Sequence, residues 1–280
     1  MPSPTPPESF RRLNARRNAP LCSRLGTSSV ALATALVATI APSVAAAEAE
    51  PPGLTHCRPP APGRYALLGS GEQGGNPVAA LMQERWLPDG RIEGVRYRRV
   101  GREFQEDRYS GVVKPDSRCW ALLERQGPGG VMAESVALDP SGRPRVGLQL
   151  SPAGVLSLRY VDQGDGRCAP ALLDGLVTSQ QQGQTWSRSQ WRPNAVVQRE
   201  WWQGSRVQGW AVASYDGRLE RAGYSGRLEL GEDCLGRMRQ RDALGSTYDY
   251  RVLVLANGGG YFYLQTDPDN LTLGLLQRLR

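Results

Sequence analysis

Imidazole and amine chemistry is almost missing from this chain: among 280 residues there is one histidine, His56, and one lysine, Lys114. A His-based dyad or triad would have to use His56, which adjoins Cys57 in a proline-rich stretch instead of a fixed, shielded position. The same scarcity argues against H-E-x-x-H zinc sites and haem pockets with a histidine ligand. No C-x-x-C pair, P-loop or dinucleotide fingerprint occurs, so no metal and no cofactor is expected. Long helical runs are lacking too. With 33 Gly and 21 Pro, the chain favours short strands joined by tight turns.

A one-signed charge surface is also missing. The formal net charge of +7 belongs mostly to the first 47 residues, which read as an export signal. Arg11, Arg12, Arg16, Arg17 and Arg24 form a basic leader, a small-residue apolar stretch runs from Val30 to Val44, and Ala45-Ala46-Ala47 places cleavage after Ala47. Within it, Val30 to Ile40 is too short and too rich in Ala and Thr to span about 30 Å of hydrocarbon. Arg11-Arg12 hints at twin-arginine export, but no Phe-Leu follows at the expected offset, so that route and the general one both stay open. Removal of 1–47 leaves 29 basic and 26 acidic residues, interleaved along the chain. The expected protein is therefore periplasmic or secreted, with no transmembrane span in the mature chain. An interleaved surface does not suit a nucleic-acid partner.

What is present is a duplication. At a shift of 115, Gln83, Trp86, Arg91 and Gly94 fall on Gln198, Trp201, Arg206 and Gly209. In the same register Tyr109-Ser110-Gly111 falls on Tyr224-Ser225-Gly226, and Cys119 on Cys234. After a slip of one, Leu148-Gln149 and Pro152 match Leu264-Gln265 and Pro268. The expected organisation is an export signal (1–47), a proline-rich linker (48–62), and two domain-sized repeats, 63–166 and 167–280.

Each repeat reads as β. Val146, Leu148 and Leu150 alternate with other residues, as do Leu156, Leu158 and Tyr160. Pro88-Asp89-Gly90, Pro140-Ser141-Gly142, Ser151-Pro152-Ala153-Gly154, Tyr215-Asp216-Gly217, Asn257-Gly258-Gly259-Gly260 and Asp267-Pro268-Asp269-Asn270 supply turns. Their spacing predicts about eight strands per repeat and an all-β pair of tandem antiparallel barrels. Gly94 and Gly209, mid-strand, predict a bend or bulge. Four cysteines remain after export, an even number for an oxidising compartment. Three pairings are open, and the duplication favours Cys57–Cys119 with Cys168–Cys234.

Tyr224-Ser225-Gly226, Asp233-Cys234, Val252-Leu253-Val254-Leu255 and Leu264-Gln265-Thr266-Asp267-Pro268 resemble exported bacterial β domains of the calycin or lipocalin-like type. The first repeat keeps Gly63-Arg64-Tyr65, Asp89-Gly90 and Tyr109-Ser110-Gly111, but has Arg118 before Cys119 and lacks Thr-Asp-Pro. The resemblance implies a barrel able to hold an internal cavity. It carries over no catalytic residue.

Paired carboxylates offer little: Glu103, Glu106 and Asp107, like Asp267 and Asp269, lie in charged or turn-rich stretches that predict a solvated surface. The better signal is aromatic. Trp186, Trp191, Trp201, Trp202 and Trp210 crowd the second repeat, near Arg206 and other arginines. Neighbours such as Trp201 and Trp202 cannot share one face of an unbroken strand. Inward tryptophans would fill a small barrel, and outward ones would pack between repeats or stack on a ligand. The expected function is non-catalytic binding of a small amphipathic ligand or an envelope component, with Trp186, Trp201, Trp202, Trp210 and Arg206 as candidate contacts. The alternative is a structural or protein-interaction module of the cell envelope.

Overall fold

The computed structural model describes residues 57–116, 118–151 and 154–279. The expected export signal and most of the linker lie outside these residues, as does His56. The first eight strands are β1 (Gly63–Gln73), β2 (Asn76–Trp86), β3 (Arg91–Val100), β4 (Glu103–Pro115), β5 (Trp120–Gly127), β6 (Gly130–Leu138), β7 (Pro144–Ser151) and β8 (Gly154–Asp162). A short 3₁₀ turn, Pro170–Leu173, leads into the second eight. These are β9 (Gly175–Ser187), β10 (Gln190–Gln203), β11 (Arg206–Tyr215), β12 (Arg218–Leu230), β13 (Leu235–Asp242), β14 (Thr247–Val254), β15 (Gly260–Gln265) and β16 (Asn270–Arg278).

Each set forms a closed antiparallel barrel, with β1 paired to β8 and β9 to β16. Neighbouring strands are joined in chain order, so the expected turns about Asp89, Ser141, Asp216, Gly258 and Pro268 each fall between two strands of one barrel. Closure removes the exposed sheet edges that an open eight-stranded sheet would leave. At this strand number the interior is about as wide as the side chains that fill it. Interior chemistry therefore decides whether a barrel is solid or hollow.

Both expected disulfides are formed. Cys57–Cys119 ties the segment before β1 to the β4–β5 turn, and Cys168–Cys234 ties the segment before β9 to the β12–β13 turn. With sequence separations of 62 and 66, loop-closure entropy gives each bridge about 4 kcal/mol of stabilisation.

The barrels are packed together through β2, whose Ala79 and Leu81 join a core cluster with Leu253, Phe262 and Leu264 of the second barrel. Arg99 on β3 is fully buried at this junction. Its guanidinium donates to the carbonyls of Asp267 and Pro268, capping the β15–β16 turn. Burial holds its pKa down at about 10. Gln83 adds a bond to the Asp233 carbonyl at 2.7 Å, and Arg251 pairs with Glu106 at 2.6 Å.

The alternation on β7 marks a real strand, though with its apolar residues on the outer face, and one expectation is corrected at Asp107. On β7 the alternating apolar residues point outward, with Val146 52% and Leu148 46% exposed. The inward place belongs to Gly147, where a Cβ would collide with the Glu134 carboxylate and come within 3.2 Å of the Tyr160 ring. Asp107, expected at the solvated surface, instead lies largely inside the first barrel, 2.7 Å from Arg96.

Candidate functional site

A shared triad lies inside each barrel. In the first, Glu84 on β2, Gly94 on β3 and Tyr109 on β4 form one cross-strand row. In the second, Glu200, Gly209 and Tyr224 do the same across β10, β11 and β12. The glycine is required because the tyrosine ring lies over it: a Cβ on Gly209 would sit 2.5 Å from the Tyr224 ring. Neither strand carries a register shift there, so the glycines mark no bulge, and their lack of a Cβ gives the tyrosine ring its clearance. The tyrosine hydroxyls donate to the carboxylates, Tyr109 to Glu84 at 2.6 Å and Tyr224 to Glu200 at 2.8 Å. An indole two residues on donates to each as well, Trp86 to Glu84 and Trp202 to Glu200, both at 2.9 Å.

This geometry corrects the repeat register. Trp86 faces Ile92 and Trp202 faces Val207, so the counterpart of Trp86 is Trp202 and not Trp201. The β10–β11 hairpin is one residue shorter than β2–β3, which changes the shift from 116 before the turn to 115 after it.

Around the shared triad the barrels diverge. The first carries ion pairs in its interior. Arg125 on β5 donates to Glu84 at 2.5 Å and to Glu134 on β6, while its other nitrogen meets the Tyr160 hydroxyl at 2.7 Å. Burial opposes the Arg125 charge, but Glu134 and Glu84 hold its pKa well above the ordinary arginine value. Burial pushes the Glu134 carboxyl up, against the pull of Arg125. Higher in the same interior, Arg96 pairs with Asp107 and Arg98 bonds to Gln73.

The second barrel is hollow at the equivalent level. Arg125 faces Gly111 and Gln240 faces Gly226, so the guanidinium is replaced by an amide. Ala211 faces Ala222 where Arg96 faces Asp107, and Ala213 stands where Arg98 does. The side chains lost leave a cavity of about 70 Å³ to which all eight strands contribute, space for roughly five water molecules. Tyr224 and Gln240 lie at its floor and bond to Glu200 beneath. Below them, Trp202 packs edge-on to Tyr261 at 5.6 Å, and the Pro170–Leu173 turn packs against β10 and β15. The opening lies by the β11–β12 and β13–β14 hairpins, where Tyr215, Glu220, Asp242 and Tyr248 line the wall.

The cavity is rich in phenols. Tyr250 and Tyr263 meet edge to face at 5.1 Å. Tyr248 donates to Asp242 at 3.0 Å and Tyr224 to Glu200. Among the described residues, the hydroxyls of Tyr215, Tyr250 and Tyr263 have no hydrogen-bond partner. Burial raises the pKa of all five phenols, so they stay protonated. Glu200 is wholly buried and accepts four donors, from Trp202, Tyr224, Gln240 and Tyr261. Burial pushes its carboxyl up, against the downward pull of those bonds.

The sequence-predicted aromatic contacts do not converge. Trp202 is 1% exposed and belongs to the core beneath the cavity. Trp201 and Trp210, 60% and 69% exposed, share an outer groove with Arg199 and Leu176. Trp186 and Trp191 are cross-strand partners near the β9–β10 turn, 5.3 Å apart. Arg206 is exposed at the start of β11. The cavity tyrosines and alanines were not among the predicted contacts. Their signal was available only as a difference between repeats, alanine against arginine, once the register is right.

No family model matches the sequence, and no curated protein matches it. Among solved structures, a porin-like protein from Bacteroides uniformis matches at 11% identity with a TM-score of 0.17. The match covers 69% of this chain and 60% of that one, so the chain spans about three fifths of that neighbour's length.

Proposed function

We propose that this is a non-catalytic binding protein whose second barrel takes one small amphipathic ligand in its open interior, in the calycin manner. The observation that carries the reading is the replacement of interior Arg96, Arg98 and Asp107 by Ala211, Ala213 and Ala222 on an otherwise shared scaffold. Mixed lining supports it: tyrosine rings and Val196 offer apolar surface, while Gln181, Gln198 and Thr272 offer polar contacts. None of the lining side chains is His, Lys or Cys, and the phenols are driven away from neutral-pH proton transfer, which favours binding over catalysis. The two disulfides suit an oxidising compartment, periplasmic or extracellular.

The test is calorimetric titration with phenol-sized amphiphiles, comparing the native protein with Ala213→Arg, which installs the side chain that fills the first barrel. One-to-one saturation that the variant weakens by about tenfold or more supports the reading. A second reading, an envelope interaction module, is favoured by the exposure of Trp201 and Trp210. Binding that survives Ala213→Arg but is lost in Trp201→Ala would select it.

A further inference from the structure

The two barrels treat the same buried carboxylate differently, and the difference concerns charge as well as volume. In the first barrel, Glu84 is bonded to a guanidinium supplied by the chain itself, Arg125, and Arg96 and Arg98 add two more interior cations. In the second, Glu200 is retained with the same tyrosine and indole donors, but all four of its partners are neutral. Gln240, Ala211 and Ala213 occupy the three arginine positions. Two further carboxylates, Glu220 and Asp242, line the cavity, and none of its lining residues is basic. Glu134 and Asp107 are replaced along with the arginines, by Tyr250 and Ala222. Glu200 remains beneath the floor, however, and Glu220 and Asp242 stand in the wall, so the charged groups about the cavity are carboxylates and a cation is favoured over an anion.

The aromatic lining points the same way. Tyr215, Tyr224, Tyr248, Tyr250 and Tyr263 surround the space. Phenol faces attract ammonium groups through the ring quadrupole, most strongly where water is excluded. Unpartnered hydroxyls on Tyr215, Tyr250 and Tyr263 can accept from N–H or O–H groups.

We infer that the ligand of the second barrel is a small organic cation of the alkylammonium class, its charged group held among the tyrosines above Gln240 and Glu200. The inference rests on the binding reading given above. It names the charge that the site selects.

The experiment titrates the intact, disulfide-bonded protein with choline and tetramethylammonium, and with the neutral isostere of choline in which a quaternary carbon replaces the nitrogen. The cations are expected to saturate at one per chain, with the isostere weaker by about tenfold or more. Gln240→Arg, which restores the first barrel's own cation, is expected to abolish choline binding while both disulfides and the β spectrum persist. Equal binding of choline and its isostere overturns the inference whether or not that variant folds. Binding of neutral phenols without the ammonium compounds, lost in Ala213→Arg, overturns the charge assignment and leaves the cavity reading standing. Failure of every probe overturns both.

Discussion

Gly209→Ala places a methyl group where the Tyr224 ring now lies, 2.5 Å from its nearest carbon. That separation is far inside van der Waals contact, and the ring cannot stay. Moving it breaks the 2.8 Å bond from the Tyr224 hydroxyl to Glu200, a hydrogen bond to a buried carboxylate worth about 1.5–3 kcal/mol. Forcing the ring off its rotamer costs about 1 kcal/mol more. Gly-to-Ala in a strand returns about 0.5–1 kcal/mol. The net expectation is a loss of about 2–3 kcal/mol, read from reversible urea unfolding followed by far-ultraviolet dichroism. The control is the same substitution in a Tyr224→Ala background, where the clash is gone and Ala should be neutral or mildly stabilising. An equal cost in both backgrounds would refute the argument that the glycine exists to clear the tyrosine ring.

Other outcomes follow from the same geometry. Trp202→Ala should cost about 3–5 kcal/mol, whereas the exposed Trp201→Ala should stay within about 0.5 kcal/mol; denaturation midpoints that reverse this order would contradict the corrected register. Arg125→Met leaves Glu84 and Glu134 buried without their cation, and should destabilise the first barrel by about 3–5 kcal/mol at neutral pH, with partial recovery on acidification. For Glu200 the folded pKa lies above its unfolded value. Its contribution to stability is thus complete below the unfolded pKa, and declines as pH rises through the folded one. Glu200→Gln should remove that decline, so stability curves of variant and native protein should diverge in slope above the unfolded glutamate pKa of about 4.3; parallel curves would show that burial does not control this carboxyl.

The barrel architecture was readable because turn chemistry recurs at short intervals and closure needs only consecutive hairpins. Pro88-Asp89-Gly90 and Asn257-Gly258-Gly259-Gly260 mark real strand junctions. Cysteine parity and the duplication together picked the right two disulfides of three arrangements. The limit was side-chain parity. On β7, apolar alternation alone could not reveal that Gly147 takes the inward place because Glu134 fills the space beside it. The one-residue deletion in the β10–β11 hairpin drew Trp86 onto Trp201, hiding both the Glu-x-Trp pair and its carboxylate. A cluster of tryptophans attracts notice, while Ala211 and Ala213 carry information only as substitutions for Arg96 and Arg98. A cavity is written in what small residues leave unfilled, and that is legible only against a filled copy.

The central claim is that the interior of the first barrel is occupied by ion pairs, whereas that of the second is lined by phenols and alanines and takes a ligand. Its most direct test is a crystal of the protein soaked in bromocholine, with the bromine located by anomalous scattering. The account predicts one bromine per chain, inside the second barrel among Tyr215, Tyr250 and Tyr263, and none inside the first. Bromine stacked on Trp201 and Trp210, or equally present in both barrels, would contradict it.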